Sequence, residues 1–167
     1  NRGTATINCE VTSGEGVMMV AVTTAARTGG QSFSVNYTNS DGVSNRTSAT
    51  VRQNTTAIVG TVTTSERANA TSSGNPFIGL QSGDRGVRSI ESVTMNGADT
   101  GFFALILVKP SAQTIIRGND APYDKDLLLF ANELETVQDD AYLSLIVLPN
   151  CSLTGLAVRG GIRTIWN

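Results

Sequence analysis

Residues 4–11 alternate strictly, with Ala5, Ile7, Cys9 and Val11 on one side and Thr4, Thr6, Asn8 and Glu10 on the other. That two-residue period predicts a strand with one face in a core and one in water. The turn Ser13-Gly14-Glu15-Gly16 and an apolar run at 17–22 follow, so the first two strands read as a hairpin. Phe33, Val35 and Tyr37 alternate with Ser32, Ser34 and Asn36 and predict a third strand, closed by a turn at 39–42. Residues 47–53 and 57–64, rich in Thr, Val, Ile and Ala, predict two more around Asn54-Thr55-Thr56, and 76–80 a short one.

The pattern is most pronounced at 87–108. Val87, Ile90 and Val93 recur at every third position, a spacing that a β-bulge reconciles with a strand and that a short helix would also produce. Residues 102–108 are apolar without alternation and stop at Lys109-Pro110, which predicts a strand buried on both faces. The connection at 96–101 holds residues that tolerate positive φ, so these two strands also read as a hairpin, the central one.

Further on, 113–117 predicts a strand, and 127–130 a strand or a short helix capped by Asp126. Residues 142–148 predict a second buried strand, ended by Pro149, and strands at 153–158 and 162–166 close the chain. About ten short strands with little helix make the chain all-β, an antiparallel β-sandwich or jelly-roll-like fold. A single domain over 1–167 is expected; an internal boundary would fall in the small, polar stretch 65–75.

Composition changes this picture mainly by exclusion. Charged residues are 16% of the 167, against about 25% in an ordinary domain, and Ser, Thr, Asn and Gly take their place. A formal net charge of -2, with the twelve Lys and Arg scattered, argues against nucleic acid as a partner. No apolar run reaches the roughly 20 residues of a membrane-spanning helix. Histidine is absent, which removes Ser-His, Cys-His and His-metal chemistry together. No catalytic residue and no cofactor is expected.

Each remaining candidate has a plain alternative. Asp120, Asp124 and Asp126, with Asp139 and Asp140, offer oxygen ligands for calcium but lack EF-hand spacing, and solvated loop charges explain them as well. Cys9 and Cys151 read as two buried thiols or as a disulfide joining the ends of the chain. Asn-x-Ser/Thr sequons at Asn36, Asn45, Asn54, Asn69 and Asn150 arise by chance in so Asn-, Ser- and Thr-rich a chain. Gly83-Asp84-Arg85-Gly86 lacks the Lys and the helix of a phosphate-binding loop and reads as a tight turn. Trp166 is a core plug or an anchor on a neighbouring subunit.

The run GDRGVRSIESVTMNGADTGFFALILVKP at 83–110 resembles a hairpin found in small structural proteins of tailed-bacteriophage virions. The shared features are a Gly-Asp-x-Gly turn, a Val-x-Ser-Ile strand and an apolar strand ending in Lys-Pro; the end of the chain, from Asp139 to Asn167, is similar in character. The likeness covers about the last 85 residues. It implies an all-β virion protein, most simply a capsid decoration or cement protein and otherwise a neck or tail component. Its partners would be copies of itself, for instance in a trimer, and other virion proteins such as the major capsid protein, with no nucleic acid, membrane or small-molecule substrate. Candidate contact residues are Trp166, Arg85, Arg88 and Tyr142. The alternative is a carbohydrate- or receptor-binding β-sandwich, as in a fibre tip or lectin-like module.

Overall fold

A computed structural model describes residues 4–10, 13–53, 56–63, 75–113, 137 and 141–147. Within them there is no helix, and every strand pair is antiparallel. The strands are β1 (Thr4–Glu10), β2 (Met18–Ala25), β3 (Arg27–Thr28), β4 (Ser32–Asn39), β5 (Arg46–Thr47), β6 (Val51–Arg52), β7 (Thr56–Ala57), β8 (Val62–Thr63), β9 (Val87–Met95) and β10 (Phe102–Val108).

A five-stranded sheet runs β1-β9-β4-β5, with β6 also on β4, and a three-stranded sheet runs β10-β2-β8. The β3-β7 pair keeps the register of β2-β8, so Arg27 opposite Ala57 continues the ribbon that sets Ala21 opposite Thr63. Pairings join strands before and after residues 65–75.

Both expected hairpins are replaced by crossings between sheets. β9 has β1 on one edge and β4 on the other, so neither edge is left for β10; residues 96–101 carry the chain to the second sheet instead. β2 lies between β10 and β8 and has no edge for β1. A turn-rich loop sets how sharply a chain reverses, but the competition for edges sets which strands pair.

The three-residue spacing in β9 is a bulge effect. Against β4 the ladder steps from Asn36–Ser92 to Tyr37–Ile90, then from Thr38–Ser89 to Asn39–Val87, so Glu91 and Arg88 are extra residues on β9. Each insertion flips the face that follows, which keeps Val87, Ile90 and Val93 all buried. β4 needs no such correction: Phe33, Val35 and Tyr37 point inward in strict alternation.

These residues, with Met19 and Ala21 of β2, Val51 and Ile78, form one core cluster fed by both sheets. Phe33 meets Phe103 of β10 with ring centroids 4.9 Å apart, tying one sheet to the other. Ile78 lies in no ladder; the strand expected at 76–80 is absent, 76 and 77 being a bend, and Ile78 N–H bonds the Met19 carbonyl (2.8 Å). The candidates at 47–53 and 57–64 appear as two-residue fragments.

Two segments expected to be buried on both faces are not. β10 is half-buried along its length except at Phe102 and Ile106, which are exposed on its outward side, and 141–147 is neither strand nor core, with Tyr142 93% and Leu145 72% exposed. The expected elements at 127–130, 153–158 and 162–166, nearly all of that at 113–117, Cys151 and the Cys9 side chain lie outside the described residues.

Candidate interaction surface

The turn at 82–86 is fastened to β4 by a compact polar network. Its sequence logic starts with Tyr37: an inward position on an alternating strand buries a phenol, whose hydroxyl then needs partners. The Tyr37 hydroxyl donates to Asp84 Oδ2 (2.6 Å) and accepts from the Gln81 N–H (2.8 Å). Asn39 Nδ2 donates to Asp84 Oδ1 (2.8 Å), and Arg46 reaches both oxygens through Nε (3.0 Å) and Nη2 (3.0 Å).

The charges answer to this arrangement. The Arg46 hydrogen bond is the main force holding the Asp84 carboxyl down to about 2, helped by Tyr37 and Asn39 against the opposing effect of burial. Burial first, and then the carboxylate, push the Tyr37 hydroxyl up to about 12. Both groups therefore keep one protonation state across the physiological range, so the network serves as a fastening and offers no acid–base couple near neutrality.

Gly14 and Gly86 complete the fastening. A Cβ on Gly86 would run into the Gly14 carbonyl, so the two backbones approach as only glycine allows.

Arg85 and Arg88 come to this same end of the molecule. The Arg85 side chain stands out in solvent with Asp41 at 3.8 Å, a pair too exposed to contribute much. Arg88 is the half-buried bulge residue of β9, and its guanidinium passes near Gly42 on the 39–42 turn. Tyr142 is on the separate, exposed run 141–147, and Trp166 lies outside the described residues. The loop carboxylates Asp120, Asp124, Asp126, Asp139 and Asp140 also lie outside them; among the described residues no group of three His, Cys, Asp or Glu is placed to hold a metal. No helix among them is long and apolar enough to cross a membrane.

The surface that sequence reasoning missed is the outward face of the three-stranded sheet. Phe103, Leu105 and Leu107 pack on the core, so Phe102, Ala104, Ile106 and Val108 point away from it. The register sets Val22, Val20 and Met18 of β2 opposite Ala104, Ile106 and Val108, on that same side of the sheet, where Val20 is buried and Met18 and Val22 are half-buried. Phe102 is 73% exposed and Ile106 43%. The unbroken apolar run at 102–108 is the available signal, and burial within one chain is only one way to satisfy it. Comparisons with protein families, with curated proteins and with solved structures give no match to this chain.

Proposed function

We propose that the chain is a structural module of a tailed-bacteriophage virion, most simply a capsid decoration or cement protein, acting through contacts between subunits and performing no chemistry. The architecture that goes with this reading is a jelly-roll-like antiparallel sandwich. Its partners are further copies of the chain, in a trimer or another closed ring, and other virion proteins such as the major capsid protein. A position in the neck or tail would use the same surfaces.

The observation that carries the reading is the outward face of β10, where Phe102 and Ile106 stand exposed. A strand with apolar residues on both faces needs cover on both, and a second subunit is the kind of cover an assembly protein meets. The virion setting rests on the likeness in sequence at 83–110, whose two strands lie in different sheets here and form no hairpin.

Sedimentation velocity over a range of concentrations, followed by co-sedimentation with capsids lacking this protein, tests the proposal. Self-association and capsid binding are expected, both weakened by Ile106→Ser. A strictly monomeric chain that ignores capsids and tails would sink it. The bare ring of Tyr142 favours the carbohydrate-binding alternative, and a glycan array is its direct test.

A further inference from the structure

A cleft of ≈ 400 Å³ opens where the 96–101 crossing passes Arg27 of β3 and Gln53, which follows β6. No sequence signal marks it, and it adjoins the outward face of β10 at Phe102, which lines one side. Its walls are unusual for a protein this poor in charge. Arg27 is only 2% exposed, yet among its guanidinium nitrogens Nη2 alone has a partner, donating to Thr63 Oγ1 at 3.2 Å; Nε and Nη1 have none. Gln53, also 2% exposed, leaves both side-chain amide atoms unpaired. Asp99 accepts the Thr100 N–H on Oδ1 (2.8 Å) and leaves Oδ2 buried and unpaired.

A buried guanidinium, amide and carboxylate oxygen without partners are each costly, and a cleft this size has room for far more than one bridging water. The guanidinium is held in place: its carbon sits 5.3 Å from the centroid of the Phe103 ring, and Gly101 lets the crossing lie against it, since a Cβ there would strike Arg27 Cγ and the Ala25 and Ala26 carbonyls. Burial lowers the pKa of Arg27 and the Asp99 charge raises it, as expected of a cation lodged among protein groups near one carboxylate.

We propose that this cleft binds a small carboxylic acid bearing a hydrogen-bond donor beside the acid group, of the 2-hydroxy or 2-amino acid class. The planar fork of Arg27 matches a carboxylate, Asp99 Oδ2 accepts the neighbouring hydroxyl or ammonium, and the Gln53 amide can serve either end. Met95 and Phe103 give the acid's hydrocarbon part an apolar wall. Asp99 also selects against inorganic phosphate, because a second negative charge in this space meets its carboxylate.

The test is an NMR titration of the purified chain with L-lactate and L-valine, with acetate and inorganic phosphate as comparison anions, to about 10 mM, enough to saturate even a site of about 1 mM affinity. Saturable shifts at Arg27, Gln53 and 97–103 are expected from lactate or valine, at least about tenfold tighter than from acetate or phosphate. Arg27→Met should abolish them. Because Arg27 is buried and that variant may not fold, Asp99→Asn is the second arm: it should erase the preference over acetate and admit phosphate. Absence of saturation, equal response to all four anions, or an unchanged preference in Asp99→Asn overturns the proposal. Shifts at 97–101 that grow with protein concentration and no added acid would also overturn it, assigning the carboxylate to a neighbouring chain. Self-association is read separately, so the two proposals can fail independently.

Discussion

The two sheets of this protein are finished to different degrees. On the five-stranded sheet, the strand between β9 and β5 turns Phe33, Val35 and Tyr37 inward and Ser32, Ser34, Asn36 and Thr38 outward, and Thr38 bonds Glu91 across to β9. Every inward side chain there has a neighbour, and the outward ones are polar and half-buried, with Asn36 Oδ1 buried and unpaired. The three-stranded sheet sets Phe103, Leu105 and Leu107 against the core and an equally apolar row, from Phe102 to Val108, on the other side. The first sheet separates apolar from polar side chains; the second carries apolar side chains on both faces and leaves Phe102 and Ile106 exposed. Two sheets can therefore share one core and differ in purpose, one giving the domain its stability and the other its affinity for something else.

Substitutions on either side of that divide should separate stability from association. Phe33→Ala removes the ring that bridges the sheets and should cost about 3–5 kcal/mol in urea unfolding, enough to unfold a domain of ordinary stability. Gly86→Ala forces apart the backbones of Gly14 and Gly86; about 1–3 kcal/mol is expected from the same measurement, and a neutral result would show that the 82–86 turn is not pinned there.

Asp84→Ala leaves the Tyr37 hydroxyl, the Asn39 amide and Arg46 without their shared acceptor and should cost on the order of 1–3 kcal/mol. It should also alter the acid limb of stability. The folded Asp84 carboxyl is held at about 2, below its ordinary 3.8, so its contribution is complete above that ordinary value and disappears as the pH falls through about 2. Wild-type stability should decline across this window and the variant's should decline less. At the other end, the Tyr37 hydroxyl rises from 10.0 to about 12, so its contribution holds below pH 10.0 and is lost as the pH climbs through about 12. Tyr37→Phe should flatten that alkaline decline.

Ile106→Ser should change stability least, by no more than about 0.5 kcal/mol, while weakening self-association. If it costs as much as Phe33→Ala, the outward face belongs to the core and the contrast between the sheets fails.

Much of this was legible in the chain, for reasons that can be located. The alternation at 32–39 identified β4 and its inward residues because a period of two leaves no other way to segregate Phe33, Val35 and Tyr37 from Ser32, Ser34 and Asn36. The spacing of Val87, Ile90 and Val93 allowed a bulged strand or a short helix, and the pairing with β4 made it the bulged strand. The turn at 82–86 was visible in its glycines; Asp84 as its anchor was not, although a Tyr on an inward position implied that some acceptor existed. Of the candidate contact residues, Arg85 and Arg88 share one end of the molecule, and Tyr142 is exposed on another segment. Arg27, Gln53 and Asp99 escaped notice because nothing local connects residues so far apart in the chain.

Over the described residues, local pattern was enough to say that the fold is all-β, where its longer strands lie and which side of β4 faces inward, because side-chain alternation and turn chemistry act over a few residues. Which strands became neighbours was settled in three dimensions. Each strand has two edges, β9 and β2 filled theirs with partners distant in sequence, and both apparent hairpins became crossings between sheets. The exposed row on β10 and the polar cleft beside Arg27 follow from that outcome, since burial depends on what finally packs against a segment, and a run of apolar letters records only that something must.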